Sequence, residues 1–526
     1  MSDLVLQPPA VPRPGTWLGF ALMCLGMFMA ILDIQVVATS LPTIQQALAI
    51  SPDAMSWIQT AYLIAEIIAI PLIGWLTGAL TLRWLVVTAV SLFTLASVGC
   101  AVSGGVEALI ACRVVQGFAG GVLIPAVFSA VFLLFPPRLH ARATTMAGIV
   151  AVVAPTVGPV VGGWITETYS WHWLFLINVL PGLLAAGALP LLLPRQQVCL
   201  SDLATLDGLS LGLMAVALAS LEIGLKEAPR HGWLAPHCVA LLATSVIAAV
   251  VFARRTSRGR RPVVDLLIFR DRSFAIGCAL SFCLGVGLFG SVYLMPVFLA
   301  FVRGHDALEI GTIMLVTGVA QLLTAPVAGA LEGRFDARRL AAVGFGLFAL
   351  GLGLSAFQSR TADFDEMFGP QVVRGIAIMF CLLPPTRLAL QGLPEASVPN
   401  ASGLFNLMRN LGGAIGIALI DTILYGRTSL HGDALRARLI AGDPTAATAI
   451  GLDPALLAGR AHALPDPAIE ALLRPMIEKA AFAISVNEAW ALLAGAALLG
   501  LLLVPFAGRR SVAPGERVDA RHGTIV

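Results

Sequence analysis

The segment PLIGWLTG, Pro71 to Gly78, recurs in the second half of the chain as PVAGALEG, Pro326 to Gly333. A second pair of segments, RVVQG from Arg113 to Gly117 and QVVRG from Gln371 to Gly375, has nearly the same separation, with Arg and Gln exchanged. Two matches with almost the same spacing indicate two homologous halves. In membrane proteins, parallel repeats of this kind place a binding site at the interface between the halves, near the bilayer midplane.

The composition indicates a membrane protein. Of the 526 residues, 58% are hydrophobic and 12% are charged, whereas a soluble chain carries about 25% charged residues. Apolar runs long enough to cross the hydrocarbon core, about 20 residues each, occur fourteen times. We therefore predict an all-α polytopic protein. Its predicted spans are 16–38, 55–75, 84–103, 107–134, 143–166, 173–194, 204–225, 236–253, 273–300, 309–330, 338–357, 370–390, 402–425 and 486–506.

The basic residues predict the orientation. If both ends of the chain are cytoplasmic, the inner segments hold twenty Lys and Arg residues and the short outer loops hold four. This asymmetry follows the positive-inside rule. The predicted organisation is a cytoplasmic N-terminal tail (1–15), a six-helix bundle (16–195), inserted helices 7 and 8 (196–253), a basic cytoplasmic linker (254–272), a second six-helix bundle (273–506) with an outer loop (426–485), and a cytoplasmic tail (507–526).

Two opposite charges are predicted to pair inside the first half. Asp33 and Arg113 both lie about 9 Å from the outer face at 1.5 Å per residue. Ionisable groups at such depth usually face a bundle interior or an aqueous cavity. Two interpretations are open: the pair holds the bundle together, or Asp33 exchanges a proton with the outside as the pair breaks and reforms.

A polar stripe runs along the second span. Its members follow i, i+3, i+4, i+7 spacing and share one helix face: Gln59, Tyr62, Leu63 and Glu66. Glu66 lies near the midplane and is predicted to line a cavity and carry a proton; a protonated Glu66 bonded within the bundle is the alternative. The predicted substrate cavity comprises Gln59, Tyr62, Glu66, Gln116, Asn406 and Arg409. Asp33→Asn and Glu66→Gln are each expected to abolish proton-coupled efflux and to leave folding intact.

The fifth span contains APTVGPVVGG, Ala154 to Gly163. Gly158 and Gly162 present a small-xxx-small face for close helix packing. Pro155 and Pro159 remove backbone donors and are expected to bend the helix. This helix is predicted to act as a pivot or seal at the repeat interface, with ordinary tight packing as the alternative.

Six motifs in order resemble the fourteen-span drug:proton antiporter branch of the major facilitator superfamily, the EmrB/QacA type. They are LDIQVVATSLP (Leu32 to Pro42), RVVQG followed by FAGG, GPVVGG in span five, WHWLFLIN (Trp171 to Asn178), PVVDLLIFRDRSFAIG (Pro262 to Gly277) and SGLFNLMRNLGGAIG (Ser402 to Gly416). The resemblance implies the major facilitator fold, alternating access and proton-driven multidrug efflux. It further implies that Asp33 and Arg113 serve proton coupling, and that the antiporter motif comprises Gly158, Pro159, Gly162 and Gly163.

The resemblance also implies an inner gate, where this sequence departs from the usual pattern. The first-half loop GWLTGALTLRW has Gly78 where an acid is common and keeps only Arg83. The second-half copy, GALEGRFDARR, retains more charge. The predicted gate residues are Arg83, Glu332, Arg334, Asp336, Arg338 and Arg339.

The sequence favours an ion gradient as the energy source. A phosphate-binding loop needs Gly-Lys, and neither Lys226 nor Lys479 follows a glycine. No cofactor, metal site or enzymatic activity is predicted, and a net charge of +3 does not indicate a nucleic-acid partner. The predicted partners are a small-molecule substrate, protons and the lipid bilayer of the bacterial inner membrane. Residues 426–485 are predicted either to bind a periplasmic adaptor protein or to form a helical cap on the rim of the bundle. The alternative function is proton-coupled export or import of a specific native metabolite or lipid.

Overall fold

The computed structural model describes residues 14–50, 52–195, 207–258, 264–391, 393–453 and 467–508. Within these ranges the chain forms helices and no strands. Most of both predicted tails and parts of the inserted and linker segments lie outside the described residues. The helices are α1 (Pro14–Leu48), α2 (Pro52–Ala69), α3 (Ile73–Ala101), α4 (Val106–Leu134), α5 (Pro137–Thr168), α6 (Trp173–Leu176), α7 (Val179–Leu192), α8 (Gly208–His231), α9 (Pro236–Arg258), α10 (Arg272–Phe298), α11 (Ala307–Glu332), α12 (Ala337–Ser355), α13 (Phe364–Leu390), α14 (Val398–Ile440), α15 (Pro444–Ile450) and α16 (Pro467–Leu503).

The helices account for fourteen membrane crossings. In the described residues, 13 stretches are long and apolar enough to cross a membrane. One of them, Trp57–Ala101, has 45 residues, about twice the length that a single crossing needs. Thr81 interrupts it with φ 67° and ψ 156°, outside the helical region. We count this stretch as two crossings, which gives the number predicted from the sequence and confirms the all-α polytopic fold.

Each half of the molecule has its own hydrophobic core. The first-half core contains Phe93 and Phe128, and the second-half core contains Phe345 and Trp490. Helix α5 of the first half packs along α11 of the second half. The first-half core extends to Phe274 and Leu404 of the second half, and the second-half core includes Val152 of α5, so the two halves pack together along this seam and beside α14.

The inserted helices α8 and α9 form a hairpin beside the two halves. Asp207 begins the hairpin by accepting a hydrogen bond from the Ser210 backbone, and Arg255 of α9 donates to its carboxylate at 2.7 Å. The Arg255 hydrogen bond holds the pKa of Asp207 well below its usual range. Helix α8 contacts both α2 and α14, so the hairpin covers the place where these helices of opposite halves approach each other.

The outer end of the molecule carries a helical extension. Helix α14 has 43 residues and is about 65 Å long, roughly twice the hydrocarbon thickness. Its outer part packs with α15 and α16 around a small core that includes Leu435, Ile450 and Leu473. In its described parts, residues 426–453 and 467–485, the predicted outer loop is therefore helical and consists of the continuation of α14, of α15 and of the first turns of α16.

Candidate functional site

Four elements bring a buried polar cluster together inside the first half. Arg113 of α4 and Asp33 of α1 form an ion pair in which both side chains are 0% exposed. Gln116 donates to Asp33 Oδ1 at 2.9 Å and accepts from Arg113 at 2.7 Å. Asn178, between α6 and α7, donates to the same Asp33 oxygen at 3.0 Å, and Ser97 of α3 lies 2.9 Å from the Gln116 amide nitrogen. The pairing expected from residue depth is present, within a larger network.

The sequence did not predict the roles of Asn178 and Ser97 in this network. Asn178 ends the motif WHWLFLIN, but its partner is 145 residues away. Ser97 lies in an apolar run with no polar neighbour that would mark it. From the sequence, one could expect only that some polar residue of another helix faces Asp33, not which residue it is.

Aromatic rings enclose the buried arginine. The Arg113 guanidinium lies 4.2 Å from the centroid of the Tyr62 ring, a cation–π arrangement, and its Nε donates to the Ile58 carbonyl at 3.2 Å. The Tyr62 hydroxyl donates to the Ala30 carbonyl at 3.2 Å. Arg113 is thus held by the α2 backbone and by a ring as well as by Asp33.

Two predicted cavity residues are placed elsewhere by the structure. Tyr62 and Gln116 are both 0% exposed, and their contacts lie within the first half. The i, i+3, i+4, i+7 stripe is about 100° wide on a helix. On this stripe, Tyr62 therefore faces α1 and α4. Gln59 is half-buried, and Glu66 faces α14.

Glu66 connects the two halves. This residue of α2 is 5% exposed, and its carboxyl group interacts with the Asn410 amide and with the charge of Arg409, both on α14. Asn406, one helical turn earlier, accepts a hydrogen bond from Arg409 and donates to the Ser402 carbonyl at 2.8 Å. Glu66, Asn406 and Arg409 thus lie together where the two halves meet, and their role in lining a substrate cavity stays a prediction.

The inserted hairpin contributes a second acid to this region. Glu222 of α8 interacts electrostatically with Glu66 and with Lys226, one turn further on. The Lys226 ammonium donates to the Thr60 hydroxyl at 2.8 Å and lies 4.9 Å from the Trp57 ring centroid. In the sequence, Glu222 lies close to one end of the predicted span 204–225. The structure places it beside α2 because α8 covers the approach of α2 to α14.

The antiporter motif of α5 faces the first helix of its own half. A Cβ added at Gly158 would collide with the Gln35 side chain, and one at Gly162 would lie 2.6 Å from the Thr39 hydroxyl. The α5 helix is continuous through both prolines of the motif, Pro155 and Pro159, and Gly163 is buried with it.

The opposite face of α5 meets the second half at glycines of α11. A Cβ at Gly311 would lie 2.7 Å from the Val160 side chain, and one at Gly318 would overlap Thr156. The α5 helix is therefore packed tightly on both sides. Its motif glycines contact α1 of the same half, whereas the glycines at the seam between the two halves belong to α11.

The predicted gate residues do not form a latch between the halves. Asp336 caps α12 and pairs with Arg338 at 2.9 Å, within one turn. Glu332 is 2% exposed, and its backbone carbonyl accepts from Arg387 of the same half. Arg83 lies over Trp84, 5.3 Å from the ring centroid, and Arg334 and Arg339 are exposed. Among described residues, Arg83 has no acidic partner, consistent with the missing acid at Gly78.

Other residues join the halves at the face where the described chain begins and ends. The Ser402 hydroxyl of α14 donates to the Pro125 carbonyl of α4 at 2.9 Å. Asn400 donates to the Asp265 carbonyl at 2.9 Å, and a Cβ added at Gly74 would lie 2.8 Å from Asn400. Backbone and amide contacts, not ion pairs, thus close this face in the described part of the chain.

A further group was not predicted. Glu227 and His231 of α8 and His237 of α9 bring their ligand atoms within 4.8 Å of one another at the outer end of the hairpin. The side-chain types are those of metal ligands, but His231 is 53% exposed and already pairs with Glu227 at 3.1 Å.

The chemical capacity of the site lies in its buried ionisable groups. The first half buries an acid–base pair, Asp33 and Arg113, and a separate carboxyl group, Glu66, which is 5% exposed. Such groups inside a membrane mark ion or substrate pathways. Two helical halves with buried charges at their interface define a secondary-transporter class of membrane protein.

Sequence comparison identifies the family. Residues 23–417 match the Major Facilitator Superfamily, and the chain belongs to this superfamily. It is 39% identical over 421 residues to the "Colistin resistance protein EmrB" of Acinetobacter baumannii, covering 80% of this chain and 82% of that protein. It is 30% identical to the "Multidrug export protein EmrB" of Escherichia coli K12, covering 78% of this chain and 80% of that protein.

Solved structures show the same fold. The human organic anion transporter MFSD10 superposes with a TM-score of 0.61 at 13% identity, covering 95% of this chain and all of that one. The proton:xylose symporter XylE superposes with a TM-score of 0.56 at 14% identity, covering 93% and 94% of the two chains. At these identities the likeness concerns the fold alone.

Proposed function

We propose that this protein exports small amphipathic or toxic compounds in exchange for protons, by alternating access of a site between its halves. The observation that carries the proposal is Glu66, a buried carboxyl group of the first half that interacts with Arg409 and Asn410 of the second. Two curated relatives are named for multidrug export and colistin resistance, which supports a toxic-compound substrate.

The proton is carried by carboxyl groups within the membrane. Protonation of Glu66 removes its attraction for Arg409 and so weakens one contact between the halves. Protonation of Asp33 likewise releases Arg113, which Gln116, Tyr62 and the Ile58 carbonyl retain in place. Each proton therefore changes an electrostatic contact in a low-dielectric environment, where such contacts are strong.

The halves pivot along the seam between α5 and α11. Close glycine contacts permit helices to approach and slide, and no ion pair of described residues crosses this seam. Opening the face where the described chain begins and ends requires separating Ser402 of the second half from Pro125 of the first and Asn400 from Gly74. The energy comes from the proton gradient, and the chemistry of the site requires no cofactor.

The proposed location is the bacterial inner membrane with both chain ends in the cytoplasm, on the basis of the basic inner segments and the bacterial relatives. The outer extension of α14 and α16 then reaches beyond the membrane into the periplasm. We propose it as the docking surface for a periplasmic adaptor protein, because it has its own core and projects past the bilayer.

The test of transport uses purified protein in sealed proteoliposomes containing a pH-sensitive dye. Addition of a transported toxic compound is expected to drive protons across the membrane in wild type and not in Glu66→Gln. A resistance screen in an efflux-deficient host supplies the compounds. Proton movement with one native metabolite or lipid and with no toxin would favour the specific-transporter alternative, and no movement with any compound would refute antiport.

The adaptor proposal is tested separately. A chain in which the extension is shortened symmetrically on α14 and α16 is compared with wild type by co-purification with adaptor proteins of its own host. Loss of co-purification with unchanged proteoliposome transport supports docking there. Equal recovery from both chains contradicts it.

A further inference from the structure

The second half contains a buried arginine that lacks the counter-charge of its first-half equivalent. The repeat aligns RVVQ, with Arg113 and Gln116, with QVVR, with Gln371 and Arg374. In the first half, α1 supplies the Asp33 carboxylate to the arginine. In the second half, the corresponding helix α10 supplies the Met295 thioether, 3.5 Å from Arg374 Nη2.

Arg374 is enclosed by groups that do not neutralise it. The residue is 4% exposed; its Nη2 donates to the Thr317 hydroxyl at 3.1 Å, and its guanidinium lies 5.2 Å from the Trp490 ring centroid. No described residue forms an ion pair with it. A buried charge without a partner is strongly unfavourable, so the folded chain gains if an anion occupies this place.

Unused hydrogen-bond donors surround this charge. Three of the buried nitrogens that lack an acceptor in the described residues belong to this group: Gln371 Nε2, Arg374 Nε and Trp490 Nε1. Gln371 and Arg374 share Thr317, whose hydroxyl donates to Gln371 Oε1 at 2.9 Å, and Arg374 lies over Trp490. Buried donors without partners are rare in folded proteins and each needs an explanation. All three are N–H groups, the chemistry that binds an anion.

We propose that the side chains of Gln371, Arg374 and Trp490 form a binding site for a small monovalent anion inside the second half. The ligand chemistry is that of chloride or of a carboxylate group, either of which accepts N–H donors and supplies one negative charge. Its site is separate from the Glu66 group, which interacts with α14 rather than with α13. The inference does not depend on proton antiport or on the substrate exported.

The experiment measures binding of radiolabelled chloride to the purified full chain in nanodiscs, after exchange into a sulfate buffer that contains neither chloride nor a carboxylate. Wild type is expected to bind chloride saturably, with one site per chain. Gln371→Glu places a carboxylate beside Arg374 with almost no change of shape, and is expected to weaken chloride binding at least tenfold and to raise the unfolding temperature measured in the same sulfate buffer. Arg374→Met is expected to weaken binding equally. The matched control is Arg303→Met, which removes an arginine of the same half that pairs with Asp363 at 2.9 Å, and it is expected to bind as wild type.

Acetate and benzoate are tested as competitors to separate the two sources of the anion. Displacement of chloride by these carboxylates supports one site that accepts both. Saturable carboxylate binding without chloride binding also supports the site and assigns the anion to a carboxylate-bearing compound. No saturable binding of either anion to wild type, or unchanged chloride binding in Gln371→Glu, overturns the proposal.

Discussion

Replacing Asp33 by Asn tests whether the first-half pair is structural as well as functional. The substitution keeps the shape of the side chain but leaves the Arg113 charge, 0% exposed, without its counter-charge. Breaking a buried ion pair on one side costs about 3–5 kcal/mol, so the ratio of folded to unfolded protein falls by a factor of about 10² to 4 × 10³. Asp33→Asn is therefore expected to lose stability, contrary to the sequence-based expectation of intact folding.

A double-mutant cycle measures this coupling. Unfolding by sodium dodecyl sulfate in mixed micelles is compared for wild type, Asp33→Asn, Arg113→Gln and the double variant. Because the double variant has no charge left at positions 33 and 113, the coupling free energy between the two substitutions is expected to be about 2–3 kcal/mol. Proton movement remains absent in the refolded double variant if Asp33 carries the proton. Additivity of the two single variants within about 0.5 kcal/mol would refute the electrostatic reasoning.

Three further predictions concern other parts of the molecule. Glu66→Gln is expected to fold nearly as wild type, because Glu66, unlike Asp33, forms no ion pair among the described residues, and to abolish substrate-driven proton movement. Glu395→Gln, the same substitution at an exposed position, is the neutral control in the same dye assay. Gly318→Leu is expected to block transport and lower the unfolding temperature, since a Cβ there already overlaps a side chain of α5; normal transport would exclude close packing at this seam. Asp363 lies outside the spans, and hydrogen bonding to Arg303 holds its pKa below the usual value. The Asp363 carboxylate therefore stabilises the folded chain fully at a pH above its unfolded-state pKa. This stabilisation is lost as the pH falls through the lower folded-state pKa. An Asp363→Asn chain is expected to show a flatter stability profile over that acidic range, and an unchanged profile contradicts the assignment.

Much of the fold was predictable because the bilayer imposes a simple length rule. About 20 apolar residues make a span, and the repeat of Pro71 to Gly78 at Pro326 to Gly333 revealed the two halves. The turn at Thr81 was less visible. The sequence separates the predicted spans 55–75 and 84–103, but residues 76–83 are mostly apolar, so it does not show that the chain breaks at the single residue Thr81.

The site was predictable where it depends on how deep a residue lies in the membrane. It was not predictable where it depends on the direction in which a side chain points. Depth placed Asp33 level with Arg113, and placed Glu66 near the midplane. It could not show that Tyr62, only one turn away from Glu66, faces the first-half interior. Nor could it place Glu222, because the position of the inserted hairpin depends on packing between elements more than a hundred residues apart.

The unbroken length of α14 has a mechanical consequence. This helix carries Arg409 and also reaches the tip of the outer extension, so the two cannot move independently unless the helix bends. A tilt of about 10° over a rod of about 65 Å displaces its far end by roughly 11 Å. The position of the tip therefore reports the position of the second half. A pair of spin labels, one at the tip and one on α9, would measure this displacement from outside the membrane. The helix would transmit the same displacement to any protein bound at its tip.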